Sequence, residues 1–214
     1  MTSDATRPSH RGEESIADFA PKFVEGRLVG FEKDMRICLT SIELPGSKKK
    51  TVAYFPALAA CCSTLEYFVA LHRGNLNPAG PQQVAKFATR YLPQPDFDTE
   101  TIRILFLAFR HPIAHRGIAS GVWVDQQPGA GLGRRLVWAV SAGTKRPAIQ
   151  VVAEPGTLMR DPPWDTTYTH RVHVHLGALW RDIAGAIRHY AADVSKDAKL
   201  QQRFVACMSR LYPT

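Results

Sequence analysis

Apolar residues in the first part of the chain recur every three or four positions, which is the spacing of one face of an α-helix. A first helix is predicted to begin near Pro21, since proline suits the first helical turn. Its apolar stripe consists of Val24, Leu28, Phe31, Met35, Cys38 and Ile42. Six residues at this spacing predict core packing, and we assign them no functional role.

Three more helices are predicted before residue 117. The second covers Tyr54 to about His72 with the stripe Leu58, Cys62, Leu65 and Val69. Glu66 lies beside that stripe, so we expect it either at the rim of the core or buried with a partner. A short third helix spans Pro81–Tyr91, and Asp98 is a suitable N-cap for the fourth. The buried face of the fourth helix is predicted to be Ile102, Leu105, Phe106, Phe109 and Ile113.

The pattern changes after Gly117, where short segments rich in β-branched and aromatic residues alternate with Gly and Pro turns. These segments are Gly117–Asp125, Arg135–Ser141, Ala148–Ala153 and Tyr168–Leu176. A long apolar-striped helix to Val194 and a short closing helix over Leu200–Tyr212 follow. The chain is therefore predicted to be α+β: a mainly α-helical up-down bundle with a small antiparallel β-meander inserted before the last long helix.

These elements predict a flexible tail over residues 1–14 and a single domain over residues 15–214. Within that domain, residues 15–116 form the helical bundle, residues 117–176 the meander and residues 177–214 the C-terminal helices. The N-terminus carries no apolar signal core, and the four cysteines lack the spacing of a disulfide framework, so we expect a cytoplasmic protein. The most membrane-like stretch, Val52–Leu71, contains Glu66, which favours a buried helix and no membrane partner.

Positive charge is concentrated in the second half of the chain. Residues 108–214 carry 14 Lys and Arg against 7 Asp and Glu, whereas residues 1–107 carry 13 against 12. Nearly all of the net charge of +8 therefore lies after residue 107. This asymmetry is compatible either with a polyanionic partner or with a protein that simply has a basic surface.

The main candidate for chemistry is the end of the fourth helix, where Arg110, His111, His115 and Arg116 follow an apolar run. Pro112 removes a helical hydrogen bond, so the helix is expected to kink or loosen there. Two imidazoles four residues apart share one helix face. Histidine can exchange a proton near neutral pH, and arginine can hold a phosphate and stabilise developing negative charge. In the alternative interpretation, Arg110 and His115 bind the free carbonyls at the helix end.

Arg110, four further residues, His115 and then Gly117, at the end of an apolar helix, resemble the signature of the HEPN superfamily (higher eukaryotes and prokaryotes nucleotide-binding). The long first helix and the apolar second helix with Glu66 are similar to the bundle of that family. The resemblance implies a metal-independent RNA endonuclease without a cofactor, of the kind found in toxin–antitoxin, abortive-infection and CRISPR defence. It also implies a homodimer with one composite site, and an antitoxin or defence-system protein as a further partner.

By this resemblance, Arg110 and His115 are the paired catalytic residues. The family often has Asn or Asp directly after the arginine, whereas this chain has His111. His111 is therefore either a second acid–base group or a sign of an inactive relative that binds nucleic acid or protein. In the active case, His115 or His111 removes the 2′-hydroxyl proton of RNA, Arg110 stabilises the phosphorane, and an imidazolium protonates the leaving 5′-oxygen.

Two further groups of residues complete the predicted sites. We expect Arg134, Arg135, Lys145 and Arg146 to cluster at the hairpin ends and, with Arg116, to contact the RNA backbone, while Trp123 and Trp138 either stack bases or belong to the core. On the strand ending at Leu176, His173 and His175 share one face. They permit a third interpretation, a metal-dependent hydrolase, although we predict no metal site.

Overall fold

The computed structural model describes residues 14–43, 46, 50–116, 121–129, 131–158 and 166–213. The predicted tail falls almost wholly outside these residues. Within them the chain combines helices with a small sheet, so the α+β class predicted from the sequence is confirmed.

Helix α1 (Ile16–Leu39) begins five residues earlier than predicted. The Ser15 hydroxyl caps it by accepting a hydrogen bond from the Asp18 N–H at 3.2 Å. Pro21 consequently lies inside the helix instead of at its start. The predicted stripe is buried at Val24, Leu28 and Met35. The stripe ends before Ile42, which is exposed and lies in strand β1 (Ile42–Glu43). Strand β1 pairs with β2 (Lys50–Thr51).

Helix α2 (Tyr54–Arg73) is the centre of the helical layer and packs against α1, α6 (Leu176–Val194) and α7 (Ala198–Leu211). Its predicted stripe is fully buried. Among the described residues, α2 is the helix that is long and apolar enough to cross a membrane, a test that core helices also pass. Its buried stripe is that of a core helix.

Helix α3 (Pro81–Tyr91) has the predicted bounds, and α4 (Thr99–Ile104) begins at the predicted N-cap Asp98. The Asp98 carboxylate accepts a hydrogen bond from the Thr101 N–H at 2.7 Å. After α4 the helix widens into a π-helical segment (Leu105–Arg110) and then continues as α5 (His111–Arg116). The buried face predicted for this helix is confirmed throughout its length.

The predicted antiparallel meander is wrong, because the sheet is mixed. Strands β3 (Trp123–Val124), β4 (Arg135–Ser141), β5 (Ile149–Thr157) and β6 (Thr167–His175) lie in the spatial order β3-β4-β6-β5. Strand β6 enters between β4 and β5 and pairs in parallel with β4. Alternating apolar residues specify which face of each strand is buried, but they carry no information about which edge the strand joins.

One face of this sheet packs on the helices. Val172 and Val174 of β6 and Leu136 of β4 belong to the common core, and Trp123 and Trp138 pack partly buried against it. The two tryptophans therefore pack against the core and stay partly exposed. Because the sheet covers the end of α4 and the π-helical segment, it fixes the position of the residues that follow.

Candidate functional site

The backbone at the predicted motif is a wide helical turn. The His111 N–H donates its hydrogen bond to the Phe106 carbonyl, five residues back. Pro112, which follows, has no N–H and would crowd the carbonyl of Ala108 in a regular helix. The expected loosening of the helix thus takes the form of a π-helical segment, a feature that is frequent at functional sites.

Arg110 is held by Glu66 of α2. Its Nε donates a hydrogen bond to Glu66 Oε2 at 3.0 Å, and its Nη2 lies 3.0 Å from the same oxygen. The Arg110 side chain is 30% exposed and that of Glu66 18%. The carboxylate occupies one edge of the guanidinium, and Nη1 has no partner among the described residues. In the same part of the chain, Arg110 does not bind the helix-end carbonyls proposed in the alternative interpretation.

His111 and His115 lie side by side on the surface of α5. Their ring centroids are 4.3 Å apart and the ring planes are tilted by 57°. Both residues are exposed, and neither has a hydrogen-bond partner among the residues that the structure describes. Both imidazoles are therefore accessible to an external ligand. Arg110 immediately precedes them in the chain, at the end of the π-helical segment, and its guanidinium pairs with Glu66 of α2.

The base of this site is apolar. The Phe109 ring packs on Trp138 of β4 with centroids 4.5 Å apart. Cys62, one turn before Glu66 on α2, is buried, and burial together with the negative charge of Glu66 raises the pKa of its thiol to about 12. The thiol remains protonated at neutral pH and is not a nucleophile.

The predicted basic cluster at the hairpin ends does not form. Arg134 and Arg135 lie at the start of β4, whereas Lys145 and Arg146 follow its end. About 20 Å separates the two ends of this seven-residue strand, at about 3.3 Å per residue. The sequence showed four cations near two turns, but the length of the strand between them keeps them apart.

Arg134 belongs to an internal ion-pair network instead of a free basic surface. Its guanidinium contacts Glu100 and also lies 3.0 Å from Asp125, whose side chain is fully buried. Arg103 donates to the same Asp125 carboxylate at 2.5 and 2.9 Å. Burial alone would raise the pKa of Asp125, but the hydrogen bonds from Arg103 and Arg134 outweigh it and hold that pKa at about 2.

The other residues predicted to contact phosphate differ in exposure and in pairing. Arg135 is half-buried and donates from Nε to the Thr167 carbonyl at 2.7 Å. Arg146 pairs with Asp182, whose side chain is almost completely buried. Lys145 is exposed in the loop after β4. Arg116 is the last residue of α5, and its side chain lies outside the described part of the structure.

His173 and His175 lie on the sheet face opposite the helices, as predicted. His175 Nδ1 is 2.8 Å from the Ser141 hydroxyl, and His173 Nε2 is 3.7 Å from a Glu154 oxygen. In the described ranges, no three His, Cys, Asp or Glu side chains come together in a way that could hold a metal ion. The His111 pair does not join this strand to form one.

Glu66 is the partner of Arg110, and the motif alone did not specify it. A signal for it exists in the sequence, because Glu66 is the one charge in the apolar stretch Val52–Leu71. A charge in a buried helix is costly unless it is paired. The partner could not be identified from spacing, since 44 residues separate Glu66 from Arg110.

No protein family model matches this chain, and neither does any curated protein or solved structure compared with it.

Proposed function

We propose that the protein is a metal-independent RNA endonuclease of the HEPN type. The observation that carries this proposal is the exposed pair His111 and His115 on the helical turn that follows Arg110, an arginine that Glu66 holds in place. Two groups able to exchange a proton and one fixed cation are what cleavage of a phosphodiester by acid–base chemistry requires. As part of this proposal, the helices form an up-down bundle of that family, and the sheet is an insertion before α6.

In the proposed reaction, one imidazole removes the proton from a ribose 2′-hydroxyl, and the 2′-oxygen attacks the adjacent phosphorus. The free edge of Arg110 donates to the phosphorane oxygens and stabilises their charge. The bond from phosphorus to the 5′-oxygen then breaks, and an imidazolium gives that oxygen its proton. The products are a 2′,3′-cyclic phosphate and a 5′-hydroxyl. DNA is resistant because it has no 2′-hydroxyl.

The proposal includes a homodimer in which two copies of α5 face each other, so that the acid and the base come from different protomers. It also includes action in the cytoplasm, in a defence or toxin–antitoxin setting with a partner protein that restrains the nuclease. Of the predicted RNA contacts, Arg116 and the exposed Lys145 remain in the proposal. Arg134 and Arg146 do not, because carboxylates already pair with them.

The test is cleavage of a mixed-sequence RNA by purified protein in excess EDTA. His115→Ala is compared with the wild type, and His189→Ala, which removes another exposed histidine on α6, is the matched control. We expect the wild type and the control to cleave, and His115→Ala to be slower by about 10²-fold or more. Loss of wild-type cleavage in EDTA, or equal cleavage by His115→Ala, would refute the proposal.

The second candidate is a non-catalytic module of the same fold that binds nucleic acid or a protein. It is favoured by the ion pair of Arg110 with Glu66, which neutralises the charge that a phosphate would otherwise meet. In that case the protein binds RNA without cutting it, and His115→Ala changes neither property. The third interpretation, a metal-dependent hydrolase, has no ligand set among the described residues to support it.

A further inference from the structure

A separate cavity lies at the C-terminal end of α2. At 1.5 Å per residue, its first lining residue is about 9 Å farther along the helix axis than Glu66. Its volume is about 340 Å³. It is lined by His72, Arg73, Asn75, Gln83, Lys86 and Arg203. These residues come from the end of α2, from α3 and from α7, so the cavity exists only where these three helices meet.

The contact between α2 and α7 at this cavity is tight. Gly74 ends α2 with a positive φ of 73°, and a Cβ at this position would lie 2.9 Å from the Arg203 backbone. Glycine is therefore required both by its conformation and by the close approach of the two helices. This contact fixes the backbone of Arg203 beside the ends of Arg73 and His72.

The charge of the lining is positive, although Asp193 and Asp197 are near enough to act on His72. Arg73, Lys86 and Arg203 have no carboxylate partner among the described residues, although Arg73 donates to the Asn77 carbonyl. The nearby acidic groups are occupied elsewhere. Asp193 accepts from Arg90 and Tyr91. The Asp197 carboxylate caps the N-terminus of α7 by accepting from two backbone N–H groups.

His72 lines the cavity and is partly buried. Its Nε2 is buried and has no hydrogen-bond partner among the residues that the structure describes. The ring is held by edge contacts with Phe87, Tyr91 and Tyr190, with centroids 5.4–5.9 Å away. A buried polar atom without a partner is rare in folded proteins, and this one belongs to a residue that lines the cavity.

We propose that this cavity binds the phosphate groups of a small polyanion such as pyrophosphate. Three convergent cations and two side-chain amides match the charge and the several oxygens of such an anion. A nucleic-acid strand is a poorer match, because the aromatic rings at the site are packed against His72 and offer no free face on which a base could stack. This site does not depend on the activity proposed for Arg110 and the histidines of α5.

The test is calorimetric titration of the full chain with pyrophosphate and with orthophosphate at low ionic strength. The variants are Lys86→Gln and the double variant Lys86→Gln/Arg203→Gln. Lys199→Gln is the matched control, since Lys199 is exposed on α7 and does not line the cavity. We expect pyrophosphate binding that weakens about tenfold in the single variant and about 100-fold in the double variant, with no change in the control.

A second readout is the His72 imidazole followed by NMR. Burial holds the pKa of this imidazole at about 4, and an anion bound beside it adds negative charge and raises that pKa. At about pH 5 the ring signals therefore shift toward the protonated form on titration. The proposal is overturned if neither phosphate binds, or if the double variant binds as well as the wild type. It is also overturned if the double variant binds pyrophosphate as well as the wild type does but no longer binds a short RNA without terminal phosphates.

Discussion

At the scale of single residues, the pairing of Glu66 with Arg110 gives the site its orientation. One Glu66 oxygen lies 3.0 Å from both Nε and Nη2 of the Arg110 guanidinium, so rotation of the guanidinium is restricted. A fixed arginine meets the charge of a transition state without reorganising, which is the source of its catalytic effect. In the proposed reaction, Glu66 acts through Arg110 and is therefore a positioning residue.

Glu66→Gln is expected to lower kcat for RNA cleavage about tenfold while KM and the urea midpoint change little. The amide keeps the shape of the carboxylate but weakens the hydrogen bonds to the guanidinium. Steady-state kinetics in EDTA provide the measurement, with Glu25→Gln as the control because Glu25 is exposed on α1. An unchanged kcat in Glu66→Gln would contradict the positioning role.

His72 makes stability depend on pH. Burial, and then the positive charges of Arg203 and Arg90, lower the pKa of its imidazole to about 4, although Asp193 and Asp197 act in the opposite direction. The unfolded chain takes up this proton near pH 6.5. The stability that depends on neutral His72 is therefore complete above pH 6.5 and is lost as the pH falls toward 4.

We expect the free energy of unfolding to fall by about 1–2 kcal/mol between pH 6.5 and 4 on account of His72, after discounting for its partial exposure. Urea unfolding across this range measures the fall. His72→Gln, which cannot titrate there, should show a shallower dependence on pH. Parallel curves for the wild type and His72→Gln would show that the imidazole titrates normally in the folded protein.

The sequence predicted the residues of the candidate site better than their partners. Arg110, His111 and His115 lie close together along one helix, so local spacing is enough to group them. The basic cluster failed because Arg134 and Arg146 pair with acids that are distant in the chain, Glu100 and Asp182. Such pairings depend on tertiary packing, which charge counts along the chain do not contain.

At the scale of elements, helices were predicted closely and the sheet was not. The bounds of α3 and the cap of α4 follow from local signals, a proline at the helix start and an aspartate that accepts backbone N–H groups. The mixed sheet depends on the insertion of β6 between β4 and β5, a non-local choice. Its parallel pair could not be deduced from alternation, because alternation is the same in parallel and antiparallel strands.

The ion-pair network around Asp125 joins α4 to strand β3 at the edge of the sheet. Asp125→Asn leaves Arg103 and Arg134 facing a neutral group in a largely buried place, and we expect a loss of about 2–4 kcal/mol in unfolding free energy. Urea denaturation measures the loss. Asp34→Asn, at an exposed position on α1, is the matched control and should change stability by less than about 0.5 kcal/mol. A loss in Asp125→Asn no larger than the control's would contradict this view of the network.

At the scale of the whole molecule, the charge asymmetry has a different meaning from the one that the sequence suggested. Several cations of the second half are paired with carboxylates within the fold, among them Arg110, Arg134, Arg146, Arg171 and Arg188. Much of the excess charge is therefore paired within the fold. Among the described residues, Arg73, Lys86 and Arg203 line one cavity without a carboxylate partner, and two of the three lie in the nearly neutral first half.

A composite site predicts that activity depends on assembly. We expect the protein to sediment at twice the 23.8 kDa chain mass. Excess His115→Ala protein, exchanged with a fixed amount of wild type, should lower the cleavage rate because mixed dimers carry a defective site. Excess His189→Ala protein should not. A rate that is independent of added His115→Ala would contradict a site shared between protomers.

The chemistry of the cut ends tests most directly whether the protein is a metal-independent RNA endonuclease. RNA and DNA of the same sequence are incubated with the protein in EDTA, and the products are identified by mass spectrometry. We expect cut RNA with 2′,3′-cyclic phosphate and 5′-hydroxyl ends, and intact DNA. Products with 3′-hydroxyl and 5′-phosphate ends, or DNA cut as readily as RNA, would contradict it.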